Sequence, residues 1–282
     1  MRNIVCAALL LATTAASAQT TRVVQSLRLW PEAQGEVVLK NGDYLLLTLR
    51  GERTLTDASA YQPIRHLGFD AGQVRVGYEH FWNANWSWGA TARFNGGSGQ
   101  LQVGNISGET ITPELLLRHR APIFGGITFG QRLGVERIFP TTSYLGGSGP
   151  NSQTWTRLRV DLEKLLPLTG DATGLALRPR LSYEAGTHLR FQKGVNDLDE
   201  RTIQYTSLRG EVGVRLSPAI DLTPWFAYQT SYLETLPQYD KNGVQTSGGK
   251  LNLVSPTLGL DVRFTILPSG GKADRQQLPT QH

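Results

Sequence analysis

The last apolar segment of the chain, residues 250–267, alternates between apolar and polar positions. The apolar positions share one parity: Val254, Pro256, Leu258, Leu260, Val262, Phe264 and Ile266. The positions between them are small or polar. A period of two residues predicts a β-strand with one apolar and one polar face. At about 3.3 Å per residue the segment would extend ~60 Å, well beyond the usual globular strand of about 5–6 residues.

The same alternation recurs upstream. It is clearest in residues 174–191, where Leu181 and Tyr183 share one face while Arg178 and Arg180 share the other. Short turns fall near positions 83, 123, 169 and 219, and longer links near 60, 102, 146, 196 and 242. This spacing predicts an up-and-down sheet of ten strands from position 44 onward. Two more strands before an Asn-Gly hairpin turn at positions 41–42 would give twelve, the number that chain length favours.

Three residues in the last strand have a specific spacing. Gly259 is followed by Val262 and then by the aromatic residue Phe264. This spacing resembles the closing-strand signal that outer-membrane β-barrels present to the barrel-assembly machinery. The resemblance implies an all-β fold, a closed antiparallel transmembrane β-barrel of 10–12 strands, located in the outer membrane. Such barrels have short periplasmic turns and longer outside loops, so both termini are predicted to be periplasmic.

Residues 45–267 as a whole resemble the uncharacterised, porin-like outer-membrane β-barrels of Gram-negative bacteria that are known only as domains of unknown function. The resemblance rests on the strand pattern, the inward faces rich in arginine and glutamate, and the closing-strand signal. It names no substrate and carries over no catalytic residue. The chain departs from the pattern at its end, because such barrels commonly finish at the terminal aromatic residue and here residues 268–282 follow.

Residues 1–18 have the features of a secretory signal peptide. Arg2 precedes an apolar stretch and a small-residue cleavage site that ends at Ala18. The only cysteine, Cys6, falls in this segment, so the mature chain has no disulfide, no cysteine metal site and no cysteine nucleophile. The predicted division is a signal peptide at 1–18, an N-terminal segment with up to two short strands at 19–42, the barrel at 43–267, and a disordered polar tail at 268–282.

Composition sharpens this interpretation. No stretch after the signal peptide approaches the ~18 apolar residues of a membrane helix, which a barrel does not need because only alternate residues are apolar. Arginine greatly outnumbers lysine among the 28 basic residues, which favours multi-donor pairing in a confined space over a surface for nucleic acid. Four aromatic residues crowd one short turn, as at the lipid–water boundary of membrane barrels. They are Phe81, Trp82, Trp86 and Trp88.

If the apolar face contacts lipid, the charged face lines the lumen, where arginines outnumber acids of the same parity. Two interpretations are open. In one, charges on facing strands pair and fill a narrow barrel. The residues proposed for this structural role are Glu184, Glu163, Asp161, Arg209 and Glu211. In the other, arginines line a path for anions, as in small porins for acidic oligosaccharides. The residues proposed to contact such a ligand are Arg157, Arg159, Arg178, Arg180 and Arg190.

The sequence thus predicts an outer-membrane β-barrel that is structural or a narrow pore with an arginine-rich lumen. An anion-selective channel for small acidic solutes or oligosaccharides is one alternative, and an outer-membrane lipid hydrolase is another. A hydrolase would need a serine and a histidine within reach, but His80, His119 and His188 lie in no recognisable serine motif. We expect no enzyme, cofactor or metal site. The expected partners are outer-membrane lipid, the barrel-assembly machinery and small anions.

Overall fold

A computed structural model gives the fold of this chain. It describes residues 21–55, 67–97, 109–141, 152–169, 174–190, 201–242 and 245–267. The predicted signal peptide and the predicted polar tail lie outside these residues. The described chain is almost entirely β-strand. None of its helical segments is long and apolar enough to cross a membrane.

The described residues form thirteen strands in succession, with one 3-10 turn at Phe124–Gly126. In order they are β1 (Thr21–Val24), β2 (Arg28–Val38), β3 (Tyr44–Thr54), β4 (Ala71–Phe81), β5 (Trp86–Gly97), β6 (Thr110–Pro122), β7 (Ile127–Pro140), β8 (Gln153–Lys164), β9 (Leu166–Pro167), β10 (Ala176–His188), β11 (Tyr205–Ser217), β12 (Ile220–Tyr239) and β13 (Gln245–Ile266).

Eleven of these strands close into a barrel, which confirms the predicted fold class and lies within the predicted range of 10–12. From β2 to β13 each ring strand pairs antiparallel with the next, and β8 pairs with β10. The short β9 adds to β10, also antiparallel. The barrel closes where residues 257–266 of β13 pair in parallel with residues 28–37 of β2. Ten of the eleven begin at or after position 44, as predicted, and β2 adds one ring strand where two were predicted, so the count is odd. In an up-and-down series with an odd count, the first and last strands run in the same direction, so their pairing must be parallel.

The predicted closing strand is confirmed and is longer than its apolar pattern indicated. β12 and β13 comprise 20 and 22 residues, against 13 in β11. The long link predicted near position 242 is therefore mostly strand. Beyond the part of β13 that pairs with β2, Thr21 of β1 pairs in parallel with Leu251. β1 thereby covers an edge of β13 that would otherwise expose unpaired backbone groups.

The two ends of the barrel differ. The turn end carries the links after β2, β4, β6, β8 and β11, and the loop end carries the others. At the turn end, the predicted hairpin turn is present and Gly42 takes a φ of 85° that favours glycine. Because β2 and β13 are parallel, Thr21 lies toward the loop end and Ile266 at the turn end. The prediction that both termini are periplasmic concerns residues outside the described chain and stays a prediction.

The wall has a polar inner face and an apolar outer face. Inward side chains on alternate positions are mostly charged or hydroxylated and are buried, whereas the outward positions between them are apolar and exposed. Every barrel strand contributes to this outer apolar belt. Examples in strand order are Val37, Leu47, Val76, Phe94, Leu115, Leu133, Leu158, Leu181, Leu208, Phe226 and Leu260. The distribution is the inverse of that in a soluble protein, where the apolar face is the buried one.

The parallel closure can be tested by cross-linking, since the predicted mature chain has no cysteine. Ala33 on β2 lies opposite Val262 on β13. We expect Ala33→Cys/Val262→Cys to form an intramolecular disulfide, because neighbouring strands bring Cα atoms within the roughly 4.4–6.8 Å that a disulfide spans. The control Ala33→Cys/Leu258→Cys is displaced by about 13 Å along β13 and should stay reduced. Mobility on a non-reducing gel is the measurement, and the reverse pattern would contradict the parallel register.

Candidate functional site

Inward side chains at the turn end of the lumen form a continuous series of ion pairs. Arg263 lies 3.2 Å from Glu36 across the parallel seam and 3.6 Å from Asp221 on β12. Arg178 on β10 lies 4.0 Å from both Asp221 and Glu163. We call these five residues the turn-side network. Arg263 is 1% exposed and Glu36 is 0% exposed, and charges so deeply buried are tolerated because they are paired.

The turn-side network continues around the wall. Arg120 on β6 lies 2.9 Å from Glu163, and Arg180 on β10 lies 3.9 Å from the same carboxylate. Arg180 also forms an ion pair with Glu211 on β11. Nearby, Arg118 lies 2.9 Å from Glu79. One carboxylate thus serves arginines from two different strands, which ties non-adjacent parts of the barrel together.

A second layer lies above this network, near mid-height of the lumen. The Arg209 guanidinium stands over the Trp225 ring at 4.0 Å from its centroid and lies 2.8 Å from Asp261. Trp225 Nε1 donates a hydrogen bond of 2.8 Å to the other oxygen of Asp261. Arg209 also lies 2.6 Å from Glu211. This cation–π and hydrogen-bonded group joins β11, β12 and β13 and separates the two halves of the lumen.

Packing in this layer explains why position 259 is a glycine. It lies opposite Trp225 in the β12–β13 register, and a Cβ atom there would stand 2.0 Å from the indole ring. A side chain at this position would therefore force Trp225 away from Asp261. Val262 and Phe264, the other residues of the predicted assembly signal, have outward parity, and Phe264 is exposed. The assembly role of the three residues stays a prediction.

The loop half of the lumen holds a cavity of about 110 Å³. Its charged lining is mainly arginine, and we call it the loop-side cavity. The residues that line it are Arg28, Trp30, Arg50, Glu52, Gln73, Arg75, Arg93, Asn95, Arg157, Arg159, Ser182, Glu184, Tyr205, Ser207, Arg209, Trp225, Ala227 and Gln229. Seven guanidinium groups and two carboxylates therefore line the cavity. Several of these arginines pair with carboxylates behind the lining, as Arg50 does with Glu32 and Arg209 does with Asp261.

The predicted ligand-contacting arginines do not form one cluster. Arg157 and Arg159 line the loop-side cavity, whereas Arg178 and Arg180 belong to the ion pairs at the turn end. Arg190 lies beyond the end of β10 and is exposed. The sequence placed them together because they share one parity, but β8 and β10 run antiparallel, so successive residues on the two strands approach opposite ends of the barrel.

The residues predicted as structural lumen pairs are all inward and buried. Glu184 lies 3.0 Å from Arg157, which is also 2.8 Å from Glu136. The ion pairs of Glu163, Arg209 and Glu211 are those described above. Asp161 lies against Gly130 on β7, where a Cβ atom would meet its carboxylate oxygens at 2.6 Å.

Sequence reasoning missed several lumen residues on β2 and β12. Glu32, Glu36 and Asp221 are buried acids, and Trp30 and Trp225 are lumenal aromatic residues. The three acids add negative charge to the lumen that the alternating pattern did not reveal. Glu32, for example, lies 2.7 Å from Arg50. The alternation was present in residues 28–38, where Arg28 and the two glutamates share a parity. Proline and small residues on the opposite face hid the apolar half of the pattern.

The four aromatic residues of the turn after β4 divide between the two faces. Trp82 is 58% exposed, and Trp86 and Trp88 are also exposed on the outer surface. Phe81 instead packs inward, with its ring 5.6 Å from that of Tyr44. The interpretation of Phe81 as an interface residue is therefore wrong, because its parity places it in the lumen.

The strand histidines do not converge. His80 Nδ1 lies 2.9 Å from Asp43, whose carboxylate also accepts a hydrogen bond from Tyr78. Burial acts to raise the pKa of Asp43, but these hydrogen bonds outweigh it and hold the pKa below its usual value. His119 packs against Trp86, whereas His188 stacks on a tryptophan near the loop end. In the described part of the chain, no three His, Cys, Asp or Glu residues are grouped so as to hold a metal ion.

The turn-side network makes a stability prediction. Arg263→Met leaves Glu36 and Asp221 buried without their shared partner, so we expect the free energy of unfolding to fall by about 3–5 kcal/mol. Urea unfolding followed by tryptophan fluorescence measures it. The control is Arg137→Met, an exposed arginine on β7, for which we expect a change within about 0.5 kcal/mol. Equal effects of the two substitutions would show that the network does not stabilise the barrel.

Comparison with known proteins assigns no family to this barrel. No family model, no curated protein and no solved structure matches the chain. The resemblance to uncharacterised outer-membrane barrels therefore stays a prediction. The function has to be argued from the wall of the barrel and from the side chains that it encloses.

Proposed function

We propose that this protein is an outer-membrane β-barrel that crosses the membrane as a closed, structural barrel with an ion-paired interior. The observation that carries the proposal is the division between the faces of the wall. Apolar side chains are exposed on the outside of every barrel strand, and charged side chains are buried inside. Lipid is the solvent in which that division is favourable, since the belt then contacts hydrocarbon and the charges stay in the protein.

The apolar belt is large enough to make exposure of the wall to water unfavourable. Burying a residue such as leucine stabilises it by roughly 1.5–3 kcal/mol relative to leaving it in water. Soluble monomers rarely expose a continuous apolar patch larger than a few hundred Å², whereas this belt runs around the whole circumference. Backbone pairing supports the same environment, because the closed ring leaves no open strand edge to meet hydrocarbon.

Strand length and aromatic placement fit the proposal. The barrel strands from β2 to β8 comprise 11 to 14 residues, and a tilted strand of about 9–11 residues crosses a bilayer core. Trp82, Trp86 and Trp88 face outward near the turn end, where a lipid–water boundary would hold aromatic rings. The signal peptide predicted at residues 1–18 would supply export, and the closing strand would supply recognition by the assembly machinery.

The interior favours a structural barrel over an open pore. A water-filled channel would leave its lining charges exposed. Here Arg263, Asp221 and Arg178 are buried, and Asp221 pairs with both arginines. An anion that crossed the barrel would have to separate these pairs. The anion-channel alternative therefore needs a rearrangement of the turn-side network, and no observation on the strand histidines favours the lipid-hydrolase alternative.

The proposal predicts three observations. It should partition with the outer membrane on fractionation, and its unheated form should migrate differently from the boiled form on a gel, since a closed barrel resists unfolding by detergent. In planar bilayers we expect no steady single-channel steps, because the turn-side network closes the lumen.

The outcomes separate the parts of the proposal. A soluble protein without a heat-dependent mobility shift would contradict the membrane barrel. Steady steps from the folded protein would contradict the closed lumen, and anion preference in them would favour the channel alternative. Arg263→Met is the informative variant here, because it weakens the network; the exposed-arginine variant Arg137→Met is its matched control.

A further inference from the structure

The charges of the lumen are segregated by height. At the turn end, arginines alternate with carboxylates, as in the series from Glu36 through Arg263 to Asp221. In the loop-side cavity, by contrast, guanidinium groups greatly outnumber Glu52 and Glu184. Acids and arginines therefore alternate at the turn end, whereas the groups that line the loop-side cavity are mainly guanidinium.

The acids of the loop-side cavity are already engaged. Glu184 lies 3.0 Å from Arg157, which also takes Glu136 at 2.8 Å. Glu136 in turn lies 2.9 Å from Arg93. Glu136 is thus shared by two arginines. The acids that pair with Arg50, Arg93 and Arg209 lie outside the cavity lining, so the lining itself presents mainly guanidinium groups.

Two arginines in the wall lie directly opposite each other. Arg75 on β4 and Arg93 on β5 are register partners with the same inward parity. Arg75 donates to the neutral amide of Gln73 at 3.3 Å. Like charges placed opposite each other on adjacent strands destabilise a sheet, and an anion between or above them would reverse that effect.

The wall also contains buried donor atoms that make no hydrogen bond. Within the described residues, the Nε atoms of Arg28 and Arg93 and the indole Nε1 of Trp30 are buried without a hydrogen-bond partner. Donors left in this state cost free energy until an acceptor reaches them. A ligand rich in acceptor oxygens would serve both the charge and the donors.

A layer of side chains lies on the side of the cavity that faces the turn end. Arg209, Trp225 and Asp261 form the layer beneath it, held by the 2.8 Å contacts of both Arg209 and Trp225 with Asp261. The turn-side network lies beyond that layer. A ligand that left toward the turn end would have to disrupt this layer and then the turn-side network, so exchange with the loop end is the easier route.

We propose that the loop-side cavity is a binding site for a small, multiply charged oxyanion, such as a phosphate or sulfate group, that enters from the loop end and does not pass through. Guanidinium groups bind such oxygens in pairs through their planar fork. A volume of about 110 Å³ suits a small solute and excludes a polymer from full entry. The inference rests on the proposed barrel, and its statement that the anion does not pass through also rests on the proposed closed turn end.

The test uses the full mature chain, purified in detergent, after a gel shift on heating has shown that it is folded. Isothermal calorimetry with inorganic phosphate and with sulfate, at an ionic strength fixed with chloride, should show one saturable site. Arg75→Gln and Arg159→Gln should each weaken phosphate binding about tenfold or more, as expected for the loss of one charge-assisted interaction. The control Arg137→Gln removes an exposed arginine from the outer surface and should leave binding unchanged.

Each outcome decides the proposal. A folded wild-type barrel that binds neither anion overturns the site but leaves the proposed barrel intact, whereas an absent heat shift contradicts the barrel itself. An equal loss in Arg137→Gln and Arg159→Gln also overturns the site, because it shows diffuse attraction to a basic protein. If a glutamine variant does not fold, Arg159→Lys replaces it: the charge is kept but the planar fork is lost, so binding should still weaken, and unchanged affinity would contradict the assigned geometry.

Titrating a small organic phosphate and a sugar acid beside inorganic phosphate identifies the source of the oxyanion. If the organic phosphate or the sugar acid binds more tightly than the free ion, the rest of that solute contacts the aromatic faces of Trp30 and Tyr205, which line the cavity. Equal affinity would assign the site to the anion alone. Both results support an oxyanion site, and failure of all the anions to bind contradicts it.

Discussion

The parallel pairing of β2 with β13 is the constraint on which the rest of the structure depends. It turns an eleven-strand meander into a ring, so that backbone groups on both terminal strands of the barrel find partners. The same seam brings Glu36 on β2 within reach of Arg263 on β13, which starts the series of ion pairs across the turn end. Without the seam the barrel would have two open edges, and its buried charges would lose their partners.

Within this ring, charge is used differently at the two ends. At the turn end, acids and arginines alternate closely enough to pair with one another while buried. The loop end keeps an excess of arginine around a cavity. The layer of Arg209, Trp225 and Asp261 lies between the two regions.

Sequence alone predicted the barrel because period-two alternation is a direct consequence of strand geometry. It placed Leu260 outside and Arg263 inside on the closing strand, as the structure has them. It failed where alternation was weak or where position depends on the third dimension. On β2, proline and small residues hid a full barrel strand and its glutamates. Parity also cannot give height, so Arg159 and Arg178 were placed together although they belong to different halves of the lumen. Phe81 was misassigned because its aromatic neighbours outweighed its parity.

The most direct test of the central claim, an apolar outside and an ion-paired inside, uses the six tryptophans of the chain. Trp82, Trp86 and Trp88 lie on the outer surface, whereas the remaining three lie in the lumen, where Trp155 and Trp225 are buried. Tryptophan fluorescence of the protein in bilayers of bromine-labelled lipid reports contact with lipid. The account predicts that Trp82→Phe/Trp86→Phe/Trp88→Phe abolishes most of the quenching seen in the wild type. Undiminished quenching of the three remaining tryptophans would show that the inward face meets lipid and would contradict it.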